Sequence, residues 1–181
     1  MNRKFFILAL GLLTACQAPP NTPFRVIDYQ NETPLLLPVG EVHITNQTTR
    51  YTELPHLETR IPISPVSALT TAFSHRFQPA FPQKGTHATI IIQEADLTQK
   101  TKESEHWYIL DNIEYMLTYR IEVIYAQGSR ELEHQHFSGW EKQALPKNSS
   151  LSQKERTWEK MINAMIQKSS NKIEADKPSI E

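Results

Sequence analysis

The sequence predicts an α+β domain in which two helices pack on one face of an antiparallel four-stranded sheet, in the order β-α-β-β-β-α. Three observations predict it. Apolar and polar residues alternate from Ile113 to Tyr125, the pattern of a half-buried strand. Residues 64–77 and 152–173 place apolar side chains at helical spacing. Because the strand-like stretches lie between and before these helices, the helices are expected to cover one sheet face.

The first 15 residues have the three parts of a signal peptide. Arg3 and Lys4 precede an apolar run over residues 5–13, and small residues follow it. A helix that spans a bilayer needs about 20 apolar residues. The run is therefore too short to span a membrane, and we expect residues 1–15 to be removed.

Cys16 is the single cysteine of the chain. Leu13-Thr14-Ala15-Cys16 resembles the lipobox of bacterial lipoproteins, and this resemblance implies cleavage before Cys16. It also implies a diacylglycerol on the cysteine sulfur and an acyl chain on the new amino group; no other cofactor is expected. A buried thiol or a catalytic nucleophile is disfavoured at the edge of a removed segment.

Gln17 follows the predicted lipid attachment site. In the sorting rule of enteric bacteria, aspartate at this position retains a lipoprotein in the inner membrane. Glutamine therefore implies an outer-membrane anchor with the protein facing the periplasm.

Residues 16–38 are predicted to form a lipidated, proline-rich tether, which would hold the domain away from the membrane. The leucines at 35–37 are candidates to dock on the domain. The α+β domain is assigned to residues 39–175, and the polar residues 176–181 to a disordered tail.

The first strand and helix are predicted from residues 39–51 and from Ser64-Pro65. Val42 and Ile44 share one face of the strand. Serine caps the helix and proline occupies its first turn. We expect Pro79 and Pro82 to end the helix, with one apolar face: Val66, Leu69, Thr70, Phe73 and Phe77.

The next three strands are predicted over Ala88–Leu97, Ile113–Tyr125 and Arg130–Gln143, with a hairpin turn at 127–129. Residues 98–106 are polar and are expected to form an exposed excursion or a frayed strand end. Ser152 and Glu155 have the spacing of a capping box for the last helix. The expected core stripe of that helix is Trp158, Met161, Ile162, Met165, Ile166 and Ile173.

The composition disfavours nucleic acid as a partner. The chain has 19 basic residues and loses Arg3 and Lys4 with the signal peptide, so 17 positive charges remain against 20 acidic residues, a net charge of −3. This charge offers no excess of cations for phosphates. The chain also lacks the GxGxxG, P-loop, GxSxG and HExxH strings of common enzymes.

His134 and His136 are the weak candidates for a metal site, because they share one face of a strand. Glu131 and Glu133 are expected on the opposite face, and a site needs three or four ligands. His43 or His106 would join only through tertiary structure. We therefore expect a solvated strand face and no metal.

Two other groups invite a functional interpretation. Glu94 and Asp96 share a strand face, but residues two apart on any strand have a spacing suitable for acid–base chemistry, so surface solvation is the better interpretation. Tyr115, Tyr119 and Tyr125 form a ladder able to contact an acyl chain or a partner. Because aromatic residues favour strands, sheet core is the expected role.

A set of short features runs from Val39 to the last helix: Tyr51, Leu57-Glu58, Pro62-Ile63-Ser64-Pro65, Ala88 through Ala95-Asp96, Tyr119, Glu122-Val123 and Lys154-Glu155-Arg156-Thr157-Trp158. In these features the chain resembles a family of uncharacterised lipoproteins common in alpha-proteobacteria. Where that family has tryptophan followed by Arg-Leu in the first helix, this chain has Phe73 and Arg76-Phe77.

The element order is also similar to that of the lipoprotein that plugs the lipopolysaccharide translocon, and to auxiliary lipoproteins of lipid-transport complexes. These resemblances imply a non-catalytic binding or scaffolding role in envelope assembly or lipid transport, with an envelope protein complex or a lipid as partner. The alternative is a periplasmic metal-dependent or hydrolytic enzyme that uses His134, His136, Glu94 or Asp96.

Overall fold

The computed structural model describes residues 33–82, 85–103 and 111–179. These ranges hold two helices and six strands. In chain order they are β1 (Leu35–Leu37), β2 (Glu41–Asn46), α1 (Pro65–Arg76), β3 (Phe77–Pro79), β4 (Thr86–Lys102), β5 (Asn112–Gln127), β6 (Arg130–Pro146) and α2 (Leu151–Ala175).

Four strands form the main sheet, in the spatial order β2-β4-β5-β6. The α+β class and the four-stranded sheet with two helices are confirmed. Strands β4, β5 and β6 are antiparallel, as predicted, whereas β2 runs parallel to β4. The difference arises because the chain crosses from β2 to β4 through α1, and such a crossover returns the chain in its original direction.

The segment assigned to the tether contributes to the fold at its end. Leu35–Leu37 forms β1, which pairs in parallel with β3. Leu37 and Val39 are fully buried. The leucine segment therefore does dock on the domain, as the sequence analysis allowed.

Helix α1 begins as predicted, since the Ser64 hydroxyl accepts a hydrogen bond from the Ser67 amide and Pro65 is the first helical residue. It ends at Arg76, three residues before Pro79. Phe77 was expected on the helix face but is the first residue of β3. It still packs against the helix, with its ring centroid 5.2 Å from that of Phe73.

Strands β4 and β5 are longer than predicted. Residues 98–102 continue β4 because they pair with residues 112–116 of β5, so the expected exposed excursion does not begin at residue 98. Residues 104–106 lie outside the described residues. The β5–β6 turn holds Gly128 with φ +58° between Gln127 and Arg130, a conformation that glycine adopts without strain.

Helix α2 buries the predicted stripe from Trp158 to Ile173. The predicted capping box is wrong by two residues. The Ser150 hydroxyl accepts from the Gln153 amide, and the Gln153 side chain accepts from the Ser150 amide. Ser152 lies inside the helix, since the chain is already helical from Leu151.

Two β-bulges change the alternation of faces. In β4 the register shifts between Ile92 and Glu94, so Gln93 has no partner on β5. In β6 a shift opposite Tyr125 and Ala126 leaves Leu132 as the extra residue. The side chains beyond each bulge therefore point to the face opposite to the one that strict alternation predicts.

The core lies between the helices and one face of the sheet, which we call the inner face. Residues of α1, α2 and the inner face form one buried apolar cluster. Its fully buried sheet residues are Ala88, Ile90, Ile92, Leu97, Tyr115, Leu117, Ile121, Val123 and Tyr125.

Candidate functional site

The opposite face of the sheet, here called the outer face, carries most of the candidate catalytic and metal-binding residues. Ala88, paired with Val42, and Val123, paired with Gln135, mark the inner side. The neighbouring residues in each strand therefore point outward. Four histidines lie on this outer face: His43, His87, His134 and His136.

His134 and His136 lie beside a carboxylate that the sequence analysis did not consider. Glu122 of β5 pairs directly with His136 of β6. Glu122 Oε1 lies 3.2 Å from His136 Nδ1, and Glu122 Oε2 lies 3.8 Å from His134 Nε2. The two imidazole centroids are 4.4 Å apart. The signal was available only through strand register, because these residues are 12 and 14 positions from Glu122 in the sequence.

The predicted orientation of Glu131 is wrong. It was expected on the face opposite His134, but its Oε1 lies 3.6 Å from His134 Nδ1. The bulge at Leu132 reverses the alternation and brings Glu131 to the outer face. Glu133 has the predicted orientation, since it contacts Gln135, which in turn donates to the Asp176 carbonyl after α2.

His43 does not reach this cluster. Its ring centroid lies 6.1 Å from that of His87, and its Nε2 lies 3.1 Å from Glu41. His106 is outside the described residues. Within the described ranges, Glu122, His134 and His136 form the one group of three whose ligand atoms all lie within 4.8 Å of each other.

Glu94 and Asp96 share the outer face, as predicted, but each is engaged by a different partner. Glu94 accepts hydrogen bonds from Thr118 Oγ1 at 2.9 Å and from Arg120 Nη2 at 3.1 Å. Asp96 Oδ2 lies 2.5 Å from His56 Nδ1. Because their oxygens are held by separate neighbours, the two carboxylates do not form an acid–base pair with each other.

His56 and Asp96 belong to a surface hollow of about 270 Å³. The loop that carries His56 is fixed to β4 by hydrogen bonds from the Leu57 amide to the Leu97 carbonyl and from the Gln99 amide to the Pro55 carbonyl. Tyr51 stacks on the imidazole at a centroid distance of 4.1 Å. The hollow is lined by Thr48, Thr49, Tyr51, His56, Glu58, Gln93, Glu94, Ala95 and Asp96.

The His56–Asp96 contact resembles part of a hydrolytic site in its residue types. A catalytic histidine also needs a nucleophile within reach. The lining offers hydroxyls from Thr48, Thr49 and Tyr51, whereas the His56 side chain is bonded to Asp96. The contact is better explained as the attachment of the 47–64 loop to the sheet.

A second, more open depression of about 610 Å³ surrounds Trp140, whose surface is 65 % exposed. Beside it, Gly139 pairs with Tyr119 across the strands. A Cβ placed on Gly139 would lie 2.4 Å from Tyr119 Oη. Glycine at this position therefore lets the tyrosine ring lie across β6.

The tyrosine ladder belongs to the core, as predicted. Tyr115 and Tyr125 are fully buried and Tyr119 nearly so. Burial raises the pKa of Tyr115, Tyr119 and Tyr125, because a phenolate would be poorly solvated there. These side chains stabilise the sheet core and are not exposed to a ligand.

Cys16, the predicted lipid attachment site, lies outside the described residues. None of the helices in the described ranges is both long and apolar enough to cross a membrane.

No protein-family model matches the chain, and no curated protein matches it. Three of the solved structures with a similar arrangement are lipoproteins. A minor lipoprotein from Acinetobacter baumannii is 11 % identical with a TM-score of 0.42, over 77 % of this chain and 94 % of that one. Rare lipoprotein B from Shewanella oneidensis is 12 % identical with a TM-score of 0.39, over 75 % and 97 % of the two chains.

An uncharacterised lipoprotein B from Nitrosomonas europaea is 17 % identical, with a TM-score of 0.42 over 77 % of this chain and 85 % of that one. Similarity at this level concerns chain arrangement and assigns no activity. The resemblance to an alpha-proteobacterial family stays a prediction.

Proposed function

We propose that this chain is a lipid-anchored lipoprotein of the outer membrane that faces the periplasm. Its role is non-catalytic binding or scaffolding in envelope assembly or lipid transport. The anchor is Cys16, because Leu13-Thr14-Ala15-Cys16 follows a basic start and an apolar run. A diacylglycerol and an N-acyl chain on one residue would anchor the protein stably, whereas a single acyl chain binds a membrane only marginally.

The observation that favours binding over catalysis is that Glu94 and Asp96 on the outer face are each held by other side chains. Glu94 is held by Thr118 and Arg120, and Asp96 by His56. Each of these carboxylates thus has a hydrogen-bond partner within the protein, as expected of structural polar groups. These side chains form a polar surface beside the exposed ring of Trp140, and aromatic residues of this kind are enriched where proteins bind each other.

The anchor is tested by labelling cells with an alkyne fatty acid. We expect label on the parent chain and none on Cys16→Ser, which should remain as the uncleaved precursor. Equal label on both chains would refute the lipidation of Cys16.

The binding role is tested with a photo-crosslinking residue at Trp140 in intact cells. We expect an adduct with an envelope protein or lipid that disappears in the Cys16→Ser background. The matched control carries the crosslinker at Lys160, which is exposed on α2. An identical adduct pattern from both positions would contradict binding by the outer face.

The alternative, a metal-dependent or hydrolytic enzyme, is favoured by one observation, the convergence of Glu122, His134 and His136. A hydrolase panel on the zinc-supplemented chain tests it. Turnover that is lost in His134→Ala would replace the binding proposal with the enzymatic one. Absence of turnover in the parent chain would dismiss the alternative.

A further inference from the structure

Three side chains on the outer face have the composition and geometry of a transition-metal site. We propose that Glu122, His134 and His136 bind a divalent transition-metal ion, with Zn²⁺ as the ion to test. The proposal does not depend on the lipid anchor or on a binding partner.

The ligand atoms are already close to the required separations. Zinc takes imidazole nitrogen and carboxylate oxygen at about 2.0–2.2 Å in a tetrahedral arrangement, which places the ligand atoms about 3.4 Å from each other. Glu122 Oε1 lies 3.2 Å from His136 Nδ1 and Glu122 Oε2 lies 3.8 Å from His134 Nε2. With one ligand atom taken from each residue, every pair lies within 4.8 Å. Small side-chain rotations would therefore bring all three atoms into the coordination sphere.

The backbone that presents these ligands is fixed by strand pairing. Glu122 of β5 lies directly opposite His136 of β6. His134 lies two residues before His136, on the same face of β6. Adjacent positions in β5, Ile121 and Val123, are fully buried in the core. The ligands thus stand on rigid elements, which lowers the ordering cost of binding.

Glu131 lies beside the ring nitrogen of His134 that does not face Glu122. Its carboxylate is 3.6 Å from His134 Nδ1, slightly longer than a hydrogen bond, while His134 Nε2 faces Glu122. If metal binding draws the two together, the carboxylate would accept from Nδ1 and fix the tautomer in which Nε2 is free to bind the ion. The bulge at Leu132 is what places Glu131 there.

The donor set selects the class of ion. Two imidazoles and one carboxylate suit zinc and its neighbours in the first transition row, whereas calcium and magnesium prefer oxygen ligands. The Glu122 side chain is only 16 % exposed, but those of His134 and His136 are 34 % and 61 % exposed. Solvent can therefore reach the ion and complete its coordination.

The competing explanation is that Glu122 simply neutralises one or both imidazoles when they are protonated. Such a cluster would satisfy the same distances without an ion. The two explanations differ in zinc affinity, since ion pairing alone gives this site no preference over other histidines of the same face.

The experiment is a zinc titration of the full chain carrying Cys16→Ser, purified in detergent, in competition with a fluorescent chelator. The substitution removes the Cys16 thiol, which would itself bind zinc in any chain that has not been lipidated. We expect one zinc ion per chain and a rise in the unfolding temperature with zinc. His134→Ala and Glu122→Gln should each weaken binding by at least about tenfold, and Glu131→Gln by about tenfold.

The matched control is the double variant His43→Ala/His87→Ala. It removes two histidines of the same face whose centroids are 6.1 Å apart. We expect its zinc affinity to be unchanged. An equal loss in the control and in His134→Ala, or equal affinity in the parent and in His134→Ala, would overturn the proposal.

Nuclear magnetic resonance of the Cys16→Ser chain, with no further substitution, gives a test that does not depend on the folding of the histidine and glutamate variants. Zinc should shift the imidazole signals of His134 and His136 before those of His43 and His87. Simultaneous shifts of all four rings, or no shifts, would show that the cluster is an ion pair only.

Discussion

The two faces of the same sheet are built in different ways. On the inner face, residues of β5 such as Ile121 and Val123 are buried against the helices at alternate positions. On the outer face, the residues between them contact partners on neighbouring strands, as Arg120 does with Glu94 and Glu122 with His136. The inner face is thus specified within each strand, whereas the outer face is specified by the register between strands.

The largest effect is expected where the inner face is emptied. Ile121→Ala removes a fully buried side chain and leaves a cavity, so we expect a loss of about 2–5 kcal/mol in the free energy of unfolding. The control is Met116→Ala on the same strand, which is exposed on the outer face and should change stability by less than about 0.5 kcal/mol. Urea unfolding measures both, and equal losses would remove the distinction between the faces.

A smaller effect is expected where the inner face is overfilled. Gly139→Ala places a Cβ against the Tyr119 ring, so the tyrosine must move, and we expect a loss of about 1–3 kcal/mol. Tyr119→Leu in the same background removes the clashing ring atoms. In the Tyr119→Leu background, Gly139→Ala should therefore lower the free energy of unfolding by less than it does in the parent chain. An equal loss in both backgrounds would contradict a clash with the Tyr119 ring.

Alkaline pH should weaken the inner face through its buried phenols. Burial raises the pKa of Tyr115 and Tyr125 in the folded chain, so the unfolded chain ionises first as pH rises. Stability should be unaffected below about pH 10 and fall above it. Tyrosinate absorbance at rising pH tests this, since the buried phenols should ionise together with unfolding.

The attachment of α2 to the inner face should depend on its first turn. Ser150→Ala removes an acceptor for the Gln153 amide and should cost about 0.5–2 kcal/mol. Ser152→Ala is the control, because the sequence pattern favoured Ser152 as the cap and the structure places it inside the helix. Thermal unfolding measures both variants. If Ser152→Ala lowers the unfolding temperature more than Ser150→Ala does, Ser152 is the cap, as the sequence pattern predicts.

The smallest effect is expected for an exposed ion pair of the outer face. Arg120→Ala breaks the contact with Glu94, but both side chains are accessible to solvent and the pair is worth about 0–1 kcal/mol. A larger loss, measured by urea unfolding at low salt, would show that the outer face also carries stability.

The sequence predicted those parts of the fold that leave a periodic pattern within a single strand or helix. Alternation located β5, and helical spacing located the stripe from Trp158 to Ile173, because burial imposes a period on the element itself. The parallel direction of β2 was missed because the sequence does not show which strand lies beside β2. Once β4 is its neighbour, the crossover through α1 makes the pair parallel.

The candidate metal site was missed for a related reason. His134 and His136 were visible as a pair, but Glu122 joins them only through strand register. Glu131 was assigned to the wrong face because a bulge adds one residue, and the sequence around Leu132 has no glycine to mark it.

The parallel pairing of β2 has a consequence for the order of folding. Gly40, directly before β2, donates a hydrogen bond to Thr86, which lies 46 positions away in the chain, whereas a two-residue turn joins β5 to β6. Contacts between distant residues require closure of a long loop before any stabilisation is gained. We therefore expect the β4–β5–β6 meander to form first and β2 to add last. The amides of β2, the main-sheet strand that comes first in the chain, should then exchange soonest with deuterated water.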